Sequence, residues 1–185
     1  MSTDVIEAPA ASVNAAANAA TTPSSPAAEA ASKASSAMGH VNEFLTFRLG
    51  AEEYGIDILR VQEIRSFEEP TRIANAPPFI LGVTNLRGVI VPIVDMRVRF
   101  SLSSAETGGS TVTIVLALGT HVVGMVVDSV SDVITLTQEQ MRPAPSFSSA
   151  VDSDHIHAIG AVDDRMLILI DIVRLMAGPD MGLQG

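Results

Sequence analysis

The chain has 185 residues, contains no cysteine and carries a formal net charge of −10. Disulfide bridges and zinc–thiolate sites are therefore excluded, and the acidic balance argues against binding to nucleic acid, whose phosphate backbone needs a basic face. No apolar run approaches the length of a membrane span and no secretory signal opens the chain, so we expect a cytoplasmic protein without direct membrane insertion.

The first 40 residues differ in composition from the rest of the chain. Residues 1–40 are dominated by Ala, Ser, Pro, Thr and Asn and have almost no large apolar side chains. Such a segment cannot bury enough surface to offset the entropy of ordering it, so a disordered tail is predicted. One folded domain is predicted over 41–180, with subdomains interleaved around a Ser-rich linker near 101–110, and a short tail over 181–185.

The folded part shows the pattern of a β protein. Short runs rich in Val, Ile, Phe and Leu alternate with other residues and are bounded by Gly, Pro, Asn or Asp. Short helical segments are expected after Leu59 and over 95–99, 137–141 and 171–176. The predicted strands are 43–49, 52–58, 72–73, 80–86, 89–95, 111–118, 121–130, 134–135, 156–162 and 165–170.

The chain also repeats itself. Gly55 and the apolar run around it recur 69 positions later at Gly124, and the block ending at Asp95 recurs 76 positions later, ending at Asp171. Two copies of this length predict two similar subdomains related by a pseudo-twofold axis. About five short strands in each copy predict two small β barrels, and the cleft between them is a candidate binding site.

Catalytic motifs are missing from the sequence. It has no Gly-x-Ser-x-Gly elbow, no phosphate-binding Gly-Lys-Ser loop and no His-Glu-x-x-His pair. His155 and His157 are spaced to chelate a metal, but no third ligand is indicated, so neither metal nor cofactor is expected. A non-enzymatic binding protein is favoured. The alternative is a small β-barrel enzyme using the cleft, with Asp128 or His121 as its titrating group.

Two features point to a protein-binding surface. Arg87 is predicted at the tip of a hairpin between two apolar strands, where its guanidinium can pair with a partner's carboxylate. The stretch around Glu63 has more apolar residues than one core contact requires, namely Ile58, Leu59, Val61 and Ile64. Apolar residues ringed by charge are typical of protein interfaces.

Several of these segments together resemble a known family. They are Tyr54-Gly55-Ile56-Asp57-Ile58, Thr84-Asn85-Leu86-Arg87-Gly88, Val123-Gly124-Met125-Val126-Val127-Asp128 and Arg142-Pro143-Ala144-Pro145. Over about residues 43–176 the chain is similar to the CheW family of chemotaxis coupling proteins. The resemblance implies a non-enzymatic adaptor of two five-stranded, SH3-like barrels. It would join the cytoplasmic tips of methyl-accepting chemotaxis receptors to the regulatory domain of the histidine kinase CheA, in membrane-bound receptor arrays.

The resemblance also implies two sets of contact residues. Apolar side chains would bury against a helical hairpin of the receptor, and Arg87 would pair with an acidic receptor residue. An adaptor of the same family in a non-chemotaxis receptor–kinase pathway is the alternative. The implied receptor-binding residues are Ile58, Val61, Glu63, Gly82, Arg87 and Val133. The implied kinase-binding residues are Arg142, Phe147 and Ala158.

Overall fold

Short strands make up most of the structure, a computed structural model that describes residues 41–102, 108–144 and 153–181. The tail predicted over 1–40 and the predicted kinase-binding residue Phe147 lie outside the described residues. The two α-helices in the described ranges are α1 (Met96–Arg99) and α2 (Ile172–Met176). The strands are β1 (Asn42–Leu49), β2 (Glu52–Asp57), β3 (Val61–Ser66), β4 (Ile80–Leu86), β5 (Val89–Asp95), β6 (Val112–Leu118), β7 (His121–Val127), β8 (Ser129–Leu136), β9 (Met141–Arg142), β10 (Ile156–Val162) and β11 (Arg165–Ile170).

These strands form two sheets that exchange a hairpin. The first sheet has the order β8-β1-β2-β11-β10-β9 and the second the order β3-β6-β7-β5-β4. The β1–β2 hairpin from the first repeat pairs with β8 and β11 of the second, while the β6–β7 hairpin of the second repeat pairs with β3 and β5 of the first. The predicted β fold with pseudo-twofold duplication is confirmed, and each sheet contains strands from both copies.

Repeated glycines allow the exchanged hairpins to pack closely. Gly55 on β2 lies beside Leu169 on β11, and Gly124 on β7 lies beside Ile93 on β5. A Cβ atom on Gly55 would lie 2.8 Å from the Leu169 side chain, and one on Gly124 would be closer still to Ile93. The two parallel pairings are therefore the same contact made twice, once in each sheet.

The largest core cluster is shared by both sheets. Phe47 and Tyr54 of the first sheet stack with ring centroids 5.9 Å apart, and Tyr54 stacks on Phe100, after α1, at 5.6 Å. Leu116 of the second sheet belongs to the same buried cluster. Burial raises the pKa of the Tyr54 hydroxyl, which donates a 2.6 Å hydrogen bond to Glu52. Because one core serves both sheets, neither is packed independently of the other.

A buried arginine adds a polar link between the sheets. Arg97 on α1 is 4 % exposed and donates to both carboxylate oxygens of Asp95, at 3.0 and 2.8 Å, and to Asp128 at 3.2 Å. Asp128 also accepts a 2.7 Å hydrogen bond from the Gly50 N–H in the β1–β2 turn. Hydrogen bonding to Asp95 raises the pKa of Arg97, which stays charged. The cluster therefore ties the exchanged hairpin to the second sheet.

Some local predictions were wrong. The expected helix after Leu59 is one 3₁₀ turn, Ile58–Arg60, followed by strand β3. The predicted strand 72–73 does not form, and Thr71 instead makes an isolated bridge with Val83. The predicted strand 121–130 is interrupted at Asp128, because the chain passes there from the second sheet to the first. The helices expected at 95–99 and 171–176 are present.

Candidate partner-binding surfaces

An exposed apolar turn lies where the two sheets meet. The turn Ile58–Arg60 contacts β1 of the first sheet and β6 of the second. The Asp57 side chain caps it by accepting a 2.9 Å hydrogen bond from the Leu59 N–H. Leu59 is 85 % exposed, whereas Ile58 and Val61 are half-buried and pack against the shared core. The turn therefore exposes the Leu59 side chain to solvent, while Ile58 and Val61 on either side of it anchor the turn to the core.

The two charged residues predicted for the surface form an ion pair. Arg87 Nη2 donates to Glu63 Oε2 at 2.8 Å, although the residues are separated by 24 positions. Arg87 occupies the β4–β5 turn with φ of +52°, and Asn85 accepts a 2.8 Å hydrogen bond from the Gly88 N–H across that turn. A guanidinium has five N–H donors, so this pairing leaves Arg87 able to bind a partner's carboxylate as well. We call Ile58, Leu59, Val61, Glu63 and Arg87 the junction surface.

The other two predicted receptor residues lie elsewhere. Val133 is 51 % exposed on the edge strand β8 and pairs with Leu45 of β1, the strand that also contacts the junction turn. Gly82 is buried in β4 with φ of +152°. A Cβ atom there would lie 2.7 Å from the Thr71 carbonyl carbon and nearer still to its oxygen. The structure therefore gives Gly82 a packing role beneath the surface.

Replacing Gly82 with alanine is expected to lower the stability of the domain. The backbone of Thr71 must move away and φ is unfavourable for a residue with a side chain, so a loss of about 2–4 kcal/mol is expected. Urea unfolding followed by circular dichroism measures this loss. Gly109, which has open space around it, provides the control as Gly109→Ala. Equal stability of the two variants would contradict the packing role.

A separate apolar cleft of about 720 Å³ lies on the first sheet. Its walls include Ile156, Ile159, Ile168 and Met166, the last being 72 % exposed, and Arg142 lies on its border. Of the predicted kinase residues, the structure thus brings Arg142 to the cleft. Ala158 lies in a buried cluster with Leu167 and Leu169.

Asp128 and His121, the two residues considered as titrating groups of an enzyme, lie in different environments. Asp128 is engaged by Arg97 and by the Gly50 N–H, and His121 lies exposed at the start of β7. Among the described residues, no group of three or more His, Asp or Glu side chains is arranged to hold a metal ion. In the same residues, no helix combines the length and the hydropathy needed to cross a bilayer.

Met166 was not predicted as a contact residue, whereas Leu59 was counted among the apolar residues around Glu63 but not among the implied receptor-binding residues. Leu59 lies in a 3₁₀ turn, and Met166 follows another exposed residue at the start of β11, so strand alternation does not assign either of them to a face. Their exposure is the informative property, and it depends on the tertiary structure. Leu59 follows the capping Asp57, which is the one local signal that it lies in a turn.

Two sheets that exchange hairpins around a common core, with exposed apolar side chains at the junction surface and in the cleft, define the class of this β protein. The CheW-like domain family model matches residues 43–179, and the chain belongs to this family. It is 57 % identical over 141 residues to the chemotaxis protein CheW of Klebsiella aerogenes, covering 76 % of this chain and 85 % of the relative. It is 35 % identical over 130 residues to that of Rhizobium meliloti, covering 70 % and 84 %.

A solved structure agrees with this assignment. The crystal structure of the scaffolding protein TtCheW from Thermoanaerobacter tengcongensis superposes with a TM-score of 0.70 at 28 % identity, covering 78 % of this chain and 93 % of that one. The protein is therefore a scaffold or adaptor of chemotaxis signalling.

Proposed function

We propose that the protein couples methyl-accepting chemotaxis receptors to the histidine kinase CheA and carries no catalytic activity of its own. The observation that supports this most is the exposure of Leu59, four residues before Glu63 of the Glu63–Arg87 ion pair, at the junction of two sheets with a common core. A surface that combines exposed apolar side chains with an exposed arginine suits a helical partner with apolar and acidic residues on one face. The cytoplasmic tip of a receptor is that partner in this proposal.

Affinity and register come from different parts of the junction surface. Fully burying one apolar side chain contributes roughly 1.5–3 kcal/mol to binding. A partner that covers the junction surface buries Leu59 and the exposed parts of Ile58 and Val61. Arg87 is 82 % exposed, and an exposed ion pair contributes about 1 kcal/mol or less. The apolar residues therefore supply most of the receptor affinity, while Arg87 selects a receptor helix whose carboxylate is correctly placed.

The second partner in the proposal binds the cleft. The regulatory domain of CheA would cover Met166 and the isoleucines around it, with Arg142 on the border and the segment containing Phe147 following in the chain. Because the junction surface and the cleft use different residues, one chain can hold both partners. Such a bridge would place the protein in receptor arrays at the membrane.

Reconstitution of kinase control tests the proposal. Vesicles carrying a chemoreceptor are mixed with CheA, with and without this protein, and autophosphorylation of the kinase is measured. Receptor-dependent stimulation is expected only when the protein is present. Equal kinase activity in its presence and absence, with both partners shown to be active, would contradict the proposed function.

Replacing Arg87 with aspartate is expected to weaken receptor binding about tenfold, because it removes the cation and places a second carboxylate beside Glu63. The turn should keep its shape, since Asp163 occupies the equivalent turn of the second repeat with φ of +45°. Titration calorimetry with a receptor fragment measures the change. Arg72→Asp is the matched control, because Arg72 is 86 % exposed and pairs with Glu69 outside the junction surface. Equal binding by both variants would argue against the role of Arg87.

A further inference from the structure

Three charged residues connect the edge strand β8 to the cleft. Arg165, at the start of β11, donates from Nε and Nη2 to the two carboxylate oxygens of Glu53 on β2, at 3.0 and 2.9 Å. Its Nη1 atom lies 3.6 Å from Asp132 Oδ2 on β8. Ser131 on β8 also donates to Glu53 at 3.3 Å. We call Glu53, Asp132 and Arg165 the Arg165 cluster, and it joins three strands of the first sheet.

Asp132 holds a bulge that determines where Val133 lies. The register between β1 and β8 shifts between Leu45 and Phe47, opposite Asp132. There the buried Thr46 hydroxyl donates to the Asp132 carbonyl oxygen at 2.9 Å and to Oδ1, and accepts from the Asp132 N–H at 3.1 Å. Oδ2 is the oxygen that faces Arg165. Since bulges re-aim the side chains next to them, the exposed Val133 depends on how Asp132 is held.

The same arrangement occurs in the other repeat. Glu63 is related to Asp132 by the 69-residue repeat and lies at a corresponding register shift between β3 and β6. Glu63 pairs with Arg87 in the β4–β5 turn, while Asp132 faces Arg165 just after the β10–β11 turn. Each sheet therefore sets a carboxylate at a register shift against an arginine in or next to a hairpin turn, although Arg165 lies two positions after the residue that corresponds to Arg87. In the second sheet this pair belongs to the junction surface.

Arg165 and Glu53 also form part of the cleft wall. Both line the cleft beside Met166, the residue that follows Arg165. The Arg165 side chain is 41 % exposed, so water screens its ion pairs while the cleft is open. A partner that covers Met166 excludes this water, and ion pairs strengthen as the local dielectric falls. Occupation of the cleft therefore strengthens the ion pair between Arg165 and Asp132 of β8.

We propose that Val133, a predicted receptor residue outside the junction surface, extends the receptor site to the β8 edge, and that Arg165 is a positioning residue that couples this edge to the cleft, so that kinase binding strengthens receptor binding. This inference rests on the proposed function. Arg165 transmits the effect through Asp132 without touching the receptor. Coupling between binding sites is reciprocal, so receptor binding strengthens kinase binding by the same factor.

Titration calorimetry on the full chain tests the coupling. The dissociation constant of a receptor fragment is measured alone and with saturating CheA regulatory domain. The wild type is expected to bind receptor about fivefold or more tightly with the kinase domain present. In Arg165→Met this ratio is expected to fall to near one, while receptor affinity without the kinase domain changes by less than about threefold.

Matched variants separate positioning from stability. Asp132→Asn keeps an acceptor for Thr46 but removes the charge facing Arg165, so it should lose the coupling without unfolding. Arg165→Lys should retain only part of the coupling. Lysine keeps the positive charge, but its ammonium cannot make the paired contact with Glu53. Arg174→Met, at an exposed arginine on α2, should leave the ratio unchanged. This inference alone would be overturned by a wild-type ratio of one, or by a ratio that is preserved in both Arg165→Met and Asp132→Asn. Failure of the wild type to bind either partner would overturn the proposed function as well.

Discussion

Replacing Arg97 with methionine is expected to lower the free energy of unfolding by about 3–5 kcal/mol, the usual result of removing one partner of a buried ion pair. The Arg97 and Asp95 side chains are 5 % and 8 % exposed, so the substitution leaves the Asp95 carboxylate buried without its counter-ion. It also removes the 3.2 Å contact with Asp128, which connects α1 to the exchanged β1–β2 hairpin. Because small domains are stable by about 5–15 kcal/mol, this single change removes a large share of the total.

Urea unfolding of the full chain, followed by circular dichroism, measures this effect. Arg174→Met is the matched control, since Arg174 pairs with Asp171 at 3.6 Å but is 73 % exposed. Its loss should be about 1 kcal/mol or less, as for other exposed ion pairs. If Arg97→Met and Arg174→Met were equally stable, the buried cluster would not be a structural link between the sheets.

The second large effect is expected for Leu59→Asp, which should reduce affinity for a receptor fragment about tenfold to a hundredfold. Burying one leucine contributes roughly 1.5–3 kcal/mol, and each 1.4 kcal/mol is a factor of ten in affinity. At 85 % exposure Leu59 contributes little to the core, so the unfolding curve should not change. Calorimetry against the receptor fragment gives the affinity.

Met166→Asp is the reciprocal control for this prediction. Met166 is 72 % exposed and lies in the cleft, so its substitution should weaken binding of the CheA regulatory domain and leave receptor affinity unchanged. Leu59→Asp should do the opposite. If both substitutions weakened the same partner, the separation of the two surfaces would be wrong.

The sequence predicted the strands better than the way they are joined. Alternating apolar residues and turn glycines located most strands of the described chain, and the repeat predicted the pseudo-twofold relation. A repeat cannot show which copy's hairpin pairs with which strands, because both arrangements place the same residues in the same environments. Interleaved subdomains were predicted, but the strands with which the β1–β2 and β6–β7 hairpins pair appear only in the tertiary structure. Strand β3 was missed because it begins immediately after a 3₁₀ turn and its register shifts near Gln62, which obscures the alternation.

The candidate surfaces were predictable to different degrees. Glu63 and Arg87 were both expected at a surface, and the structure brings them within 2.8 Å of each other. Gly82 and Ala158 are buried, and burial of a residue with no side chain or only a methyl group is not visible in the sequence pattern. A cleft was expected between the two subdomains, whereas the cleft described lies on the first sheet. Neither this cleft nor the Arg165 cluster was predicted, because Glu53 and Arg165 are 112 positions apart and no local pattern relates them.

Simultaneous binding of both partners tests the central claim most directly. Sedimentation velocity is measured on a mixture of the full chain, a chemoreceptor cytoplasmic fragment and the CheA regulatory domain. A single faster species containing all three is predicted, with the receptor lost in Leu59→Asp and the kinase domain lost in Met166→Asp. If the receptor fragment instead displaced the kinase domain from the chain, the two partners would share one site and the protein could not bridge them.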